Sequence, residues 1–297
     1  MRQSAQQRFA AMGTAVHVVV VGAEAHQLLV QAVERVFDLE QRWSRFQPTS
    51  EISRLNSAAG NPLELSSDTL SLVEHGVAAW QLTGGRFDPT MVLQLEQAGY
   101  DRSFEQIVTP APSGALTAGV GCADVQISRS RSEVKLPAGI GFDPGGIGKG
   151  LAADIITGEL IEAGALGALV NLGGDLAVRG VPTDGDDWVV SIVEPAVCHE
   201  TITTLRLGDA GLATSTTAKR RWMTRDGEHH HILNPMTGHS AMDGPVLASV
   251  IAGEAWWAEV SATAMLVQSN PPILESSMLM HTNGHIEKFG DFARFAA

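Results

Sequence analysis

Cysteine is almost absent, with only Cys122 and Cys198 among 297 residues. The two form neither a metal-spaced pair nor a disulfide framework, as expected for a protein of a reducing compartment. No apolar run approaches the roughly 18 residues that a membrane-crossing helix requires, and "VHVVVVG" at residues 16–22 is only strand-sized. The opening "MRQSAQQRFAAMG" contains no continuous apolar segment and no cysteine to carry a lipid, so a cytoplasmic location without membrane insertion is expected. Cations are scarce as well: 20 Lys and Arg face 33 Asp and Glu, for a formal net charge of -13. A nucleic-acid partner, which needs a basic face, is disfavoured by that balance. Repeats, low-complexity tracts and obvious linkers are missing too. A 44% hydrophobic content is enough for a sizeable core in one domain or two closely packed lobes.

Glycine is plentiful, and its densest use is "FDPGGIGKGLAAD", residues 142–154. Glycines allow backbone N–H groups to approach a ligand, and the start of a helix favours negative charge, so an anion is the first expectation. The common phosphate motifs fail on inspection. Gly150 follows Lys149 where a P-loop needs Ser or Thr, and Asp143 stands where its first Gly belongs. Gly146, Gly148 and Gly150 also lack dinucleotide spacing. An acidic protein that binds a phosphorylated ligand needs local cations, and Lys219, Arg220, Arg221 or a divalent metal are the candidates.

Hydrophobic periodicity outlines the elements. "AVHVVVVG" reads as a buried strand, followed by a helix with Leu28, Leu29, Val33, Val36, Phe37 and Leu39 near helical period. A second helix begins at the polar "LSSD", carries Leu70, Val73, Val77 and Trp80, and stops at Gly84-Gly85. "DVQIS" and "SEVKL" form an expected hairpin, and "KGLAADIITGELIEAG" an expected helix. "ALVNLGGDLAVRG" reads as two strands joined at Gly173-Gly174, "DWVVSIVEP" as another strand, and "HHHILNPMTG" as a short strand running into an Asn-Pro turn. "EAWWAEVSATAMLVQ" is a buried helix. The expected fold is α+β, with helices packed on mostly antiparallel sheets, as a single domain in which residues 98–136 are the candidate for a smaller lobe.

Five polar stretches sit at turns beside apolar elements: "GGRFDPT", "FDPGGIGKG", "NLGGD", "ATSTTAKRRW" and "HHHILNPMTG". Each alone reads as an ordinary turn, but five exceed what turns require. In a strand, His229 and His231 share a face while His230 opposes them, so a three-histidine metal site is the weaker reading. On the late helix Glu259 and Thr263 are four residues apart, which aligns a carboxylate and a hydroxyl that suit Mg²⁺, or equally a solvated face.

The order of these motifs, from "MGT" through "SEISRLN", "GGRFDPT", "DPGGIGKGLAAD", "NLGGDLAVRG", "ATS" and "HHILNPMTG" to the closing "AE-x-x-x-T", resembles the ApbE-type flavin transferases, the FAD:protein FMN transferases. The resemblance spans about residues 12–268. It implies that FAD is the substrate, that Mg²⁺ assists cleavage of its pyrophosphate, and that FMN passes to a Thr or Ser hydroxyl of an acceptor protein with release of AMP. Release of FMN and AMP to water, or FAD binding without chemistry, are the alternatives. Carried over residue by residue, the resemblance assigns Met12, Phe46, Arg86, Phe87, Asp88, Asp143, Lys149 and Ile232 to FAD. The Gly146 carbonyl, Glu259 and Thr263 fall to the metal, and Asp88, Asp143 and His231 are the candidates for acid-base work. The chain departs from the family pattern at Phe46 for tyrosine, Glu259 for aspartate, Asn234 for aspartate, and Ser215-Thr216 for Ser-Gly. Glutamate is one methylene longer and reaches about 1.5 Å further.

Overall fold

A computed structural model describes residues 2–109, 111, 114–194, 200–242, 244–267 and 275–297. Cys198 and Gln268, the far end of the family resemblance, lie outside the described residues. The chain opens with the antiparallel pair β1 (Ser4–Ala11) and β2 (Thr14–Val21), then α1 (Ala25–Trp43) and α2 (Glu51–Asn56). β3 (Leu63–Glu64), α3 (Ser67–Leu82), α4 (Val92–Gln97), β4 (Gln126–Ser128) and β5 (Glu133–Lys135) follow. The second half runs α5 (Gly148–Glu162), β6 (Gly167–Leu172), β7 (Asp175–Gly180), β8 (Trp188–Val193), β9 (Thr201–Leu207) and β10 (Ala210–Thr216). It finishes with β11 (Arg221–Thr224), β12 (Gly227–His230), β13 (Leu247–Ala252), α6 (Ala255–Val267), β14 (Ser276–Met280) and β15 (Ile286–Phe289).

Eight strands form one sheet in the order β1-β2-β6-β7-β10-β13-β14-β15, antiparallel throughout. The mixed α+β class with antiparallel sheets is therefore observed. β2 leaves its hairpin partner and pairs with β6 far along the chain, with Val16 opposite Leu172 and Val21 opposite Gly167. Period-two alternation divides the sheet's side chains between two cores. On one face Val16, Val18, Val20, Ala168 and Val170 pack with α1 and α5, while Ala213, Ala248 and Val250 pack with α6. On the other, Leu169, Leu176, Leu212 and Ile251 meet Trp188 and Ile192 of β8 and Leu205 and Leu207 of β9. Helices cover one side of the sheet and the β8–β9 hairpin covers part of the other.

The expected helices are present. Ser66 caps α3 by accepting the Thr69 N–H. Of the α1 positions read as apolar, Leu28, Leu29, Val36 and Leu39 are buried, but Phe37 lies outside the core and packs against Phe9 with ring centroids 5.4 Å apart. The hairpin expected after residue 124 exists as β4 and β5, joined by a 3-10 turn and extended by β3. The histidine strand is shorter than its pattern suggests. β12 ends at His230, so the alternation that would put His229 and His231 on one face stops before His231.

Candidate active site at the glycine turn

The turn that precedes α5 is held from two directions. The Asn56 carboxamide oxygen accepts the Phe142 N–H at 2.7 Å, and its nitrogen donates to the Phe142 carbonyl at 3.0 Å. The Asp143 N–H donates to the Pro89 carbonyl at 2.7 Å, which joins "FDPGG" to the loop "RFDPT". Gly146 has φ +87°, and a Cβ there would stand 3.0 Å from the Phe87 ring and 3.4 Å from Thr263 Oγ1. The bare backbone therefore lies against both, and the left-handed φ favours glycine independently.

One turn further, Lys149 reaches into the protein. Its ammonium donates to the Asp175 carboxylate and, at 2.5 Å, to Glu259 Oε1, while Glu259 Oε2 accepts the Gly150 N–H at 2.8 Å. Asp175 also accepts the Thr214 N–H at 3.3 Å, and Thr263 Oγ1 lies 3.2 Å from Ser215 Oγ. Glu259 is 1% exposed and Asp175 4%. Burial pushes the Glu259 carboxyl upward, opposed by the Lys149 charge. Burial works against the Lys149 ammonium too, but Asp175 and Glu259 outweigh it and hold the lysine above its ordinary range. Two buried carboxylates share one lysine, so the cluster carries a net negative charge when all three groups are ionised.

A second group of side chains surrounds Asp143. Arg45 Nε is 3.5 Å from Asp143 Oδ1, and its guanidinium lies 4.2 Å from the Phe46 ring centroid and 4.7 Å from that of Tyr100. Phe46 thus stands at a cation–π contact beside Asp143, partly open to solvent. Met12 and Arg220 both adopt left-handed backbone, at φ 51° and 48°. The Met12 N–H donates to Glu40 at 2.6 Å, and an Arg220 nitrogen approaches the neighbouring Gly13. Arg221 of the same basic cluster is paired with Glu228 at 2.6 Å.

Burial lowers His231 to about 3, helped by the positive charge of Arg220 and Lys149, so its imidazole is neutral near pH 7. Its Nδ1 is buried without a hydrogen-bond partner. His230 is lowered to about 4, chiefly by burial, and is engaged by the Ala241 carbonyl and the Ile232 N–H. Asp88 Oδ1 accepts from the Thr90 N–H at 2.8 Å and the Thr90 hydroxyl at 2.5 Å. An Arg86 nitrogen donates to the Thr83 carbonyl at 2.9 Å. Ile232 is buried against the α6 core, and its carbonyl accepts the Ala241 N–H.

The sequence-derived residues Phe87, Gly146, Lys149, Glu259 and Thr263 therefore meet, with His231 close enough to feel the lysine charge. Asp143 and Phe46 meet through Arg45. Ile232 stands apart with its side chain in the core. Sequence reasoning did not single out Asp175, Arg45 or Tyr100. For Asp175 a signal existed: an acid directly after the "NLGG" turn, at the first position of a strand whose next three residues are buried.

The donor set suits a hard divalent cation by type, since Glu259, Asp175, the Thr263 hydroxyl and the Gly146 carbonyl all offer oxygen. Among the described residues no group of three His, Cys, Asp or Glu is gathered for a metal. A cation here would depend on the hydroxyl, the peptide carbonyl and ligand phosphate in addition to carboxylate.

Comparison with known proteins finds relatives over most of the chain. The model of the ApbE family matches residues 12–280. An FAD:protein FMN transferase of Treponema pallidum is 29% identical over 267 residues, covering 82% of this chain and 72% of that protein. One from Vibrio cholerae is 25% identical over 265 residues, covering 86% and 79%. Among solved structures, the ApbE protein of Thermotoga maritima aligns with a TM-score of 0.88 at 24% identity, over 99% of this chain and 100% of that one. The flavin transferase ApbE from Vibrio cholerae aligns at 0.80 and 20% identity, over 99% and 100%.

Proposed function

The chain belongs to the ApbE family, and from that premise we propose that it is an FAD:protein FMN transferase that cleaves the FAD pyrophosphate and passes FMN to a Thr or Ser hydroxyl of an acceptor protein. The observation that carries this reading is the meeting of Lys149 and Gly146, on the glycine turn, with Glu259 and Thr263 on α6, 110 residues beyond the lysine. Cleaving a phosphoanhydride requires positioning and charge neutralisation above all. Mg²⁺ bound by Glu259, Thr263 and the Gly146 carbonyl would polarise phosphoryl oxygens and offset charge on departing AMP.

The chain's own residues then divide the remaining work. Lys149 and Arg220 offer cations to the phosphates, which an acidic protein otherwise repels. Phe46, steadied by Arg45 and backed by the buried Tyr100, presents aromatic surface for the isoalloxazine, and Met12, Arg86 and Phe87 are assigned to FAD by the family resemblance. His231 holds an unprotonated imidazole whose Nδ1 has no partner, which makes it our choice over Asp88 and Asp143 to take the acceptor hydroxyl's proton. An anionic ligand beside it raises its affinity for that proton. Asp88 is committed to Thr90, and Asp143 to Gly145 and Arg45.

On this reading the chain acts as one domain, with residues 98–136 a smaller lobe beside the site, and works in the cytoplasm on acceptors there. Among the described residues no helix is long and apolar enough to cross a membrane. The test is incubation with FAD and Mg²⁺, with and without an acceptor protein of a curated relative. AMP release together with a fluorescent acceptor band in a denaturing gel is expected. AMP without a labelled acceptor would identify a hydrolase, and FAD binding without AMP would reduce the protein to a flavin carrier.

A further inference from the structure

Lys149 occupies the position where a cation is wanted. It is the cation that bridges Asp175 and Glu259, and both carboxylates are almost wholly buried. Their charge must be balanced whether or not a metal is present, because an unpaired buried carboxylate is strongly disfavoured. The lysine enters from the first turn of α5, directly after the glycine turn, and its side chain is still 24% exposed. It can therefore leave the carboxylates by rotating its four-carbon stem, with no movement of the helix. Asp175 is fixed: its other oxygen accepts from the β10 backbone at Thr214. Glu259 is fixed by the Gly150 N–H. One mobile cation sits between two anchored anions.

We propose that Lys149 is the resident counterion of the metal site, that a divalent cation and the Lys149 ammonium compete for the Asp175–Glu259 pair, and that the displaced lysine is what the FAD pyrophosphate then engages. Asp175 becomes a positioning residue of the site, serving to hold the lysine when the metal is away and to share the metal's charge when it is present. Metal and dinucleotide consequently assist one another. The metal alone must evict the lysine into a place without an anion, and FAD alone must draw the lysine away from carboxylates left uncompensated. This rests on the flavin-transferase reading in needing both ligands at one site, but it makes a claim that turnover does not test.

The experiment is titration with Mn²⁺, followed by electron paramagnetic resonance of the free ion without FAD, on the wild type and Lys149→Met. Methionine keeps the stem volume and removes the charge. Lys149→Met should bind Mn²⁺ about tenfold more tightly than the wild type, within the usual span of coupling between sites. Mn²⁺ should also raise the melting temperature of the variant more than that of the wild type. Adding Asp175→Asn to Lys149→Met should give back most of the gained affinity. Equal or weaker Mn²⁺ binding by Lys149→Met overturns the proposal, and so does a double variant that binds as tightly as the single one. Should Lys149→Met be recovered only as aggregate, the wild type decides alone: saturating FAD must tighten Mn²⁺ about tenfold, and no change overturns the coupling. A wild type that binds no Mn²⁺ even with FAD would instead defeat the underlying metal-dependent reading.

Discussion

Glu259 shows how much one side chain can bear. Its carboxylate, carried on two methylenes, reaches both Lys149 and the Gly150 N–H. Glu259→Gln keeps the shape and removes the charge, so it should abolish Mg²⁺-dependent AMP release while retaining most FAD affinity, read by flavin fluorescence quenching. Unchanged AMP release at every Mg²⁺ concentration would return the residue to a structural role. His230 and His231 give a second residue-level expectation. Both are buried neutral, with values lowered from the ordinary 6.5 to about 4 and about 3. The folded state thus resists protonation that the unfolded chain accepts. Their contribution to stability is complete above pH 6.5 and is lost as the pH falls through that value toward 4. The urea midpoint should fall between pH 7 and pH 5, and His231→Gln should flatten that decline; an identical slope in the variant would locate the acid sensitivity elsewhere.

At the scale of elements, α5 and α6 behave as one unit. Asp154 of α5 accepts the Ala255 and Trp256 N–H groups, each at 2.9 Å, and so satisfies the opening turn of α6 from a neighbouring helix. Gly150 allows that proximity, since a Cβ there would run into the Ala255 carbonyl. Asp154→Ala should cost about 1–2 kcal/mol of unfolding free energy, the upper range for losing a helix cap. Gly150→Ala should cost about 1–3 kcal/mol by overpacking. The two differ in a further respect. Gly150→Ala pushes Glu259 away from Lys149 and should depress AMP release more than Asp154→Ala at equal stability, as single-turnover measurements on temperature-matched samples would show. Equal depression by the two would mean that both act only through folding.

Over the whole molecule, what could be read in the sequence depended on whether a residue's reason for being there was local. Helices α1, α3, α5 and α6 carry apolar positions over helix-length stretches, α3 with its own Ser66 cap, and β2, β6 and β7 carry valine and leucine runs, so all were visible. β1 was not, because its "QQRF" centre is an edge strand with most side chains in solvent. β10, "AGLATST", lacks the β-branched apolar pattern and is a strand because β7 and β13 flank it. The motif residues of the site were legible through family likeness; Asp175 was visible only as the acid closing "NLGGD", and its role exists only once α5, β7 and α6 are assembled around Lys149. The pairing of β2 with β6 has one more consequence, and it concerns time. During synthesis the β1–β2 hairpin emerges early, yet the strand that completes its other edge begins only at Gly167. For about half of translation β2 must keep an open backbone edge, and Val16, Val18 and Val20 are covered by α1 without α5, a state prone to off-pathway association. A chain truncated at residue 165 should therefore collect in the insoluble fraction, and one extended through residue 267 should be recovered in larger soluble yield.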